Sequence, residues 1–261
     1  MEQTVKEQID ITTSSNGPQK KSKYALMLMI MCWLVYSCSY LGKVNYAANI
    51  NQVMAFYSVS HAEAGLVSTF LFFSYAAGQI FNGLFCKKYN VPIMVFISMA
   101  LSGGLNLAVA FAPNFALVKY LWLINGFSLS ILWPSLIRLL SETISKKNMP
   151  KAVMLMGTTV ALGTFAIYGL SAVFASFNGF KWAFIVAGSV MIGVGVVWMI
   201  TVPGIVKRAK EEESVYEIEE KKIDAKQDAG KLTKRYIYLS IVLLAIYGVS
   251  IRSVGEHSSR R

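Results

Sequence analysis

The sequence predicts an all-α membrane protein: a six-transmembrane-helix bundle followed by a partial seventh helix. Three observations carry that expectation. The 261-residue chain is 55% hydrophobic and only 15% charged, with mean hydropathy +0.49; soluble domains carry about 45–50% apolar and about 25% charged residues. Of its 14 acidic residues, only Glu63 and Glu142 fall between Tyr24 and Gly204. Within that stretch lie six apolar runs, each suited to a helix of ~20 residues crossing a hydrocarbon core of ~30 Å. A soluble enzyme, a secreted disulfide scaffold and a disordered interaction protein all fit this composition poorly.

Residues 1–23 form a mostly polar tail. The first run, 25–50, is too long for the apolar part of a signal peptide and lacks an A-x-A cleavage site, so it reads as a retained helix. The other five runs cover 65–85, 92–112, 115–140, 152–176 and 182–203. Turn residues and charges separate them: Asn51, Ser60, Asn90, Pro113 with Asn114, the 146–150 segment, and Asn178 with Gly179. Runs this long and continuous are not alternating β-barrel strands. Residues 24–204 are therefore expected to form the transmembrane bundle.

Residues 205–235 are densely and almost evenly charged, which suits a solvated linker with some helix. Glu217 and Lys221 have the favourable i,i+4 order, but Glu220–Asp224 and Lys222–Lys226 oppose it with like charges. A seventh run, 236–252, is short for a span, and a polar tail, 253–261, follows. It is expected to be a truncated helix, with the chain ending partway through a larger design.

The basic residues set an expected orientation. Lys6, Lys20, Lys21 and Lys23 precede the first run, Lys87 and Lys88 follow the second, and Lys146, Lys147 and Lys151 lie between the fourth and fifth. The 205–235 segment adds nine more, while the opposite loops hold little beyond Lys119 and Lys181. By the positive-inside rule, the N-terminus and the linker face the cytoplasm of a multi-pass plasma-membrane protein. The basic excess is topological, so no nucleic-acid partner is expected; the lipid bilayer is.

Cys32 and Cys38 lie in the first run and Cys86 at the end of the second, with no C-x-x-C pair and no neighbouring His. Neither a zinc site nor any other metal or cofactor is expected. There is no phosphate-cradling G-x-x-x-x-G-K-[ST], no H-E-x-x-H and no nucleophile–base pair, so no catalytic residue is assigned.

An ionisable group within a span is a functional candidate, because it costs at least ~2.5 kcal/mol at the helix centre. Lys43 is the clearest. The first 17 apolar residues, 25–41, are too few to cross, so the helix must run on through Lys43 and Asn45. Tyr36, Tyr40 and Lys43 then share one face, where an ammonium and two phenols could hold an anion. The alternative is a lysine snorkelling outward from a helix end. The second run carries Ser68, Tyr75, Gln79 and Asn82; the fourth, Asn125, Ser128, Ser135 and Arg138; the fifth, Thr164, Tyr168 and Ser171. Interhelical hydrogen bonds account for many such residues. Stripes converging on one bundle also suit a watered cavity, with Arg138 in packing or gating.

Six helices, a charged linker and the start of a seventh resemble the major facilitator superfamily, in which two six-helix bundles face a midplane site. The finer resemblance is to its organophosphate:phosphate antiporters, carriers of glycerol-3-phosphate and hexose phosphates. It is carried by Tyr40, Gly42, Lys43, Asn45 and Tyr46; by Tyr75, Gly78, Gln79, Asn82 and Gly83; and by Asn125, Gly126, Ser128, Ser130, Trp133, Pro134 and Arg138. The resemblance implies a basic residue on the first helix and another on the seventh, clamping a phosphate between the halves. Lys43 matches the first, where the family more usually has Arg; a point charge replaces a bidentate fork. Arg252 matches the second. The superfamily's G-x-x-x-D-R-type loop reads here as Gly83, Leu84, Phe85, Cys86, Lys87, Lys88, with Lys87 standing where an acid is expected.

Together these readings imply a secondary transporter rather than an enzyme, exchanging an organophosphate or other organic anion by alternating access. Lys43, Arg252, Tyr36, Tyr40, Asn45, Tyr75 and Gln79 would bind the substrate, while Lys87, Lys88 and Arg138 would gate or pack. Alternating access calls for a second bundle, supplied by a second copy of the chain or by a C-terminal six-helix half; one bundle alone would be inactive. The competing reading is a membrane-embedded sensor that binds a phosphorylated metabolite without moving it.

Overall fold

The computed structural model describes residues 23–85, 89–145, 148–177 and 179–223. Lys87, Lys88 and Arg252 lie outside the described residues, as do residues 224–235 of the charged linker and the seventh run. Among the described residues the chain is helical, in the order α1 (Lys23–Ala48), α2 (Ile50–Tyr57), α3 (His61–Phe85), α4 (Val91–Ala110), α5 (Phe115–Ser130), α6 (Leu132–Thr143), α7 (Met149–Gly157), α8 (Thr159–Ala175) and α9 (Phe180–Ile223). Six stretches are long and apolar enough to cross a membrane: α1, α3, α4, α5 with α6, α7 with α8, and α9 as far as Glu212. The six expected spans are all present.

Two of the spans are interrupted inside runs expected to be continuous, and the first span ends at Ala48, just before the turn expected at Asn51. The break after α5 lies at Ile131, directly after Ser130, whose carbonyl the ring of Pro134 four residues on cannot accommodate in a regular helix. The break after α1 lies at Asn49, whose side chain and backbone N–H both donate to the Asn45 carbonyl, at 2.9 and 3.1 Å. A side chain competing for a helical acceptor in this way loosens the ladder. Thr158 marks the third break, its hydroxyl bonded to the Leu155 carbonyl at 2.8 Å.

Pro203 has the opposite outcome. The apolar run closes there and a solvated linker with some helix is expected from residue 205; α9 continues through Pro203 to Ile223 without a break. Proline removes one ladder bond, and neighbouring helices can hold such a helix together. Here Val202, Ile205 and Ala209 remain buried against the bundle on both sides of the proline.

The interior is layered. One apolar cluster, toward the Lys23 end, gathers Leu28, Val35, Met99, Leu129, Leu136 and Trp198. A second, toward the His61 end, gathers Tyr46, Val67, Val118, Trp122 and Phe184. Between them runs a polar belt. Asn125 donates to the Gly42 carbonyl at 3.0 Å and accepts from Ser102, while Asn45 donates to Asn106 at 3.0 Å. Buried amides in an apolar bundle are costly unless paired, and these pairings tie α1, α4 and α5 together at one level.

Two close approaches bring the helices together. A Cβ at Gly126 would collide with the Leu71 carbonyl and the Ser74 hydroxyl, so only glycine lets α5 lie this near α3. At Gly163 a Cβ would sit 2.5 Å from both the Ser37 carbonyl and Tyr40 Cβ, which fixes α8 against α1 beside Tyr40. The outward faces carry exposed Phe72, Phe73, Ile80, Phe165 and Ile200, the surface expected of a lipid-facing bundle.

Candidate functional site

At the level where the polar belt meets α1, the Lys43 ammonium lies 3.9 Å from the centroid of the Tyr75 ring and 5.6 Å from that of Tyr40. Tyr36 stands edge-on to Tyr40 at 5.6 Å and packs against Trp133 at 5.0 Å. Three helices therefore build the cluster: α1 supplies Tyr36, Tyr40 and Lys43, α3 supplies Tyr75, and α6 supplies Trp133. Gly163 lets α8 close against the back of Tyr40.

The exposure pattern is graded. Tyr36 and Tyr40 are buried at 7% and 9%, whereas Lys43, Tyr75 and Gln79 are only half-buried. Gln79 follows Tyr75 by one turn of α3. Among the described residues no carboxylate pairs with Lys43. Its charge is met instead by aromatic faces, whose negative quadrupoles attract a cation without neutralising it. The arrangement offers an ammonium and phenolic hydroxyls together, the donor set that suits a multiply charged oxyanion.

Asn45, the remaining α1 residue expected at the site, is placed differently. It is fully buried. Its amide donates to Asn106 at 3.0 Å and to the Ala183 carbonyl at 3.4 Å, and its own Oδ1 accepts from Asn49. The structure thus engages Asn45 with α4 and α9 rather than with the Lys43 cluster. Two residues along a helix are about 200° apart, which is why one faces the tyrosines and the other the interior.

Several other polar residues of the spans bond between helices. Asn82 donates to Ser130 at 3.0 Å, Ser128 and Ser98 exchange bonds with each other's carbonyls, and Ser171 accepts from Asn49 at 2.9 Å. Arg138 pairs with Glu142 at 2.6 Å and reaches the Tyr89 carbonyl at 3.5 Å. Tyr89 in turn contacts Ser135 through its hydroxyl at 3.3 Å. These bonds fasten the start of α4 to α6.

Two contributors escaped the sequence reading. Trp133 appeared there only as part of a resemblance, because nothing in sequence places an α6 ring against Tyr36. Trp33, one turn before Tyr36, donates its indole N–H to Thr158 at 2.9 Å and so links α1 to the break in the fifth span.

Residues 32–254 match the Major Facilitator Superfamily. The chain belongs to this superfamily. It is 24% identical to the membrane sensor protein UhpC of Salmonella typhimurium over 170 residues, 65% of this chain and 38% of that protein. It is 22% identical over 180 residues to a "Probable hexose phosphate transport protein" of Chlamydia pneumoniae, covering 69% of this chain and 40% of that one. A protein of Chlamydia trachomatis with the same description is 22% identical over 206 residues, 75% of this chain and 45% of its own length. The chain spans about two fifths of the length of these curated relatives. As a superfamily member it is a multi-pass membrane protein of a transporter family, and its relatives agree with the resemblance to organophosphate:phosphate antiporters.

Proposed function

We propose that the chain forms one half of a secondary transporter that binds a phosphorylated sugar or related organic anion at Lys43 and exchanges it by alternating access. The observation that carries this reading is the Lys43 ammonium held against the Tyr75 and Tyr40 rings with no carboxylate partner among the described residues. A snorkelling lysine would reach for the interface, where water solvates it. Here the ammonium stays against rings from two helices, at the level of the buried polar belt.

Tyr36, Tyr40 and Tyr75 supply hydroxyls and Gln79 an amide around the charge, while Arg252 would supply a second cation from the seventh helix. Asn45 acts from behind, holding α1 against α4 and α9. Arg138, with Glu142 and the Tyr89 carbonyl, braces the end of the bundle that must open and close. The opposing bundle would come from a C-terminal six-helix half or a second copy. The distribution of Lys and Arg supports a plasma-membrane protein with a cytoplasmic N-terminus.

Proteoliposomes containing the full chain and loaded with inorganic phosphate test this directly. Uptake of radiolabelled glucose 6-phosphate that requires internal phosphate, and that is lost in Lys43→Ala, supports exchange at this site. Unchanged exchange kinetics in the variant would remove Lys43 from it. The relatives named as membrane sensors favour a second reading: ligand bound without flux. Saturable binding of glucose 6-phosphate with no uptake in the same vesicles selects the sensor.

A further inference from the structure

Where α9 leaves the apolar part of its course, three basic side chains fall within about one helical turn. Lys207, Arg208 and Lys210 are all exposed, while Ile205 and Ala209 beside them are buried in the bundle. The turn is thus seated on the fold, with its charges directed around the open side. Arg208 donates to the Tyr24 hydroxyl at 3.0 Å, with its guanidinium 5.4 Å from the Tyr24 ring. That contact brings the start of α1, including exposed Lys23, to the same end of the bundle. Four basic residues from two helices share one rim.

Their position along the helix is informative. The residues before Lys207 are apolar, and the acids begin immediately after Lys210 with Glu211 and Glu212. Apolar, basic and then acidic is the order complementary to hydrocarbon, anionic phosphate and water. The span Phe180–Glu212 has 33 residues, and at ~1.5 Å each it covers about 50 Å, against about 40–45 Å for a bilayer with its headgroups. It must therefore traverse a headgroup layer. Because α9 remains helical through Pro203, the three basic residues emerge on a fixed turn rather than on a free linker.

We infer that this rim of α1 and α9 binds the phosphate headgroup of an anionic membrane lipid. Lys207 and Lys210 are the contacting cations. Their ammonium groups are compact, rotatable donors on long stems, suited to a phosphate whose position varies. Arg208, already engaged by Tyr24, holds the two helix ends together and adds to the local field. The surface lies at the end of the bundle rather than at the Lys43 cluster, and the inference is independent of what the protein transports.

The test uses the full chain in uncharged detergent micelles doped with phosphatidylglycerol or, at equal mole fraction, phosphatidylcholine, with the melting temperature as readout. A lipid that binds the folded state stabilises it by mass action. Phosphatidylglycerol should raise the melting temperature more than phosphatidylcholine, and in Lys43→Ala, where the cluster around Lys43 no longer responds to phosphate, free inorganic phosphate at matched concentration should not reproduce the rise. In Lys207→Gln/Lys210→Gln the phosphatidylglycerol midpoint should move upward by roughly fivefold per charge removed, or roughly twenty-fivefold for the pair. Lys207→Arg/Lys210→Arg should keep the wild-type midpoint. Both lysines are exposed, so a cooperative melt without lipid is expected of either variant. An unchanged midpoint in the Gln pair would overturn the inference. So would an equal response to phosphatidylcholine, an equal shift with free phosphate in Lys43→Ala, or loss of lipid response in the Arg pair. Counting lipids retained on the intact wild-type chain by native mass spectrometry gives a second readout: preferential retention of phosphatidylglycerol supports the surface, and equal retention contradicts it.

Discussion

The ammonium of Lys43 sits 3.9 Å from the Tyr75 ring centroid, so a charge on the first span is held against a ring on the second. A cation placed this way keeps its charge available to a ligand, whereas a carboxylate neighbour would have consumed it. Lys43→Arg should retain anion binding, because the charge survives and the planar guanidinium also stacks on aromatic rings. Tyr75→Leu should weaken binding several-fold without unfolding the chain, the ring being half-buried. Isothermal titration with glucose 6-phosphate measures both, and equal affinity in Tyr75→Leu would show that the ring does not position the charge.

Asn45 should behave as a structural residue. Asn45→Ala deprives Asn49 and Asn106 of partners inside the bundle, at a cost of about 1–2 kcal/mol. The melting temperature should fall, while the variant that remains folded binds anion with wild-type affinity. Lost binding at unchanged stability would return Asn45 to the site.

The close packing of α3 and α5 at Gly126 gives a contrast of opposite signs. Gly126→Ala forces a methyl into the Leu71 backbone and should cost about 1–3 kcal/mol. At Gly169 a Cβ would meet nothing within 4 Å, so Gly169→Ala should be neutral or stabilising by up to about 1 kcal/mol. Thermal melts in one detergent compare the pair directly, and equal effects would show that α5 is not packed so tightly on α3.

Ser58, which ends α2, has φ 52°, the left-handed conformation. A side chain there costs roughly 1 kcal/mol relative to glycine. Ser58→Gly should therefore raise the melting temperature by a few degrees. A decrease would mean that the serine hydroxyl contributes more than the backbone loses.

Just beyond this turn, Ser60 and Glu63 exchange hydrogen bonds across the start of α3: the Ser60 amide donates to the Glu63 carboxylate at 3.0 Å, and the Glu63 amide to the Ser60 hydroxyl at 3.3 Å. Glu63→Ala should cost about 1 kcal/mol with no effect on anion binding. Loss of binding would place Glu63 in a functional role that this geometry does not suggest.

How much of this was legible in the sequence follows from the range of each interaction. The six spans were, because hydrophobic length is a local and additive signal. The S-x-x-E pattern at Ser60 was also present, although the reading used Glu63 only as one of two acids in the bundle. The helix breaks were partly legible: Pro134 gives a reason for one, but Asn49 interrupts α1 through a bond to its own preceding turn, and Pro203 interrupts nothing. Lys43 with Tyr36 and Tyr40 could be grouped because all three lie on one helix face. Their meeting with Tyr75 and Trp133, and the turning of Asn45 toward Asn106, depend on how helices pack, which spacing within one helix does not encode.

The central claim is that Lys43 is the cation of an anion site, and a thermal-shift titration of the detergent-purified chain tests it most directly. The ligands are inorganic phosphate, glycerol-3-phosphate and glucose 6-phosphate, with glycerol and sulfate as controls, each applied to wild type, Lys43→Ala and Lys43→Arg. The account predicts a saturable rise in melting temperature with the phosphate compounds over glycerol and sulfate, retained in Lys43→Arg and abolished in Lys43→Ala, since a ligand that binds only the folded state stabilises it. An identical shift in wild type and a cooperatively melting Lys43→Ala would contradict it.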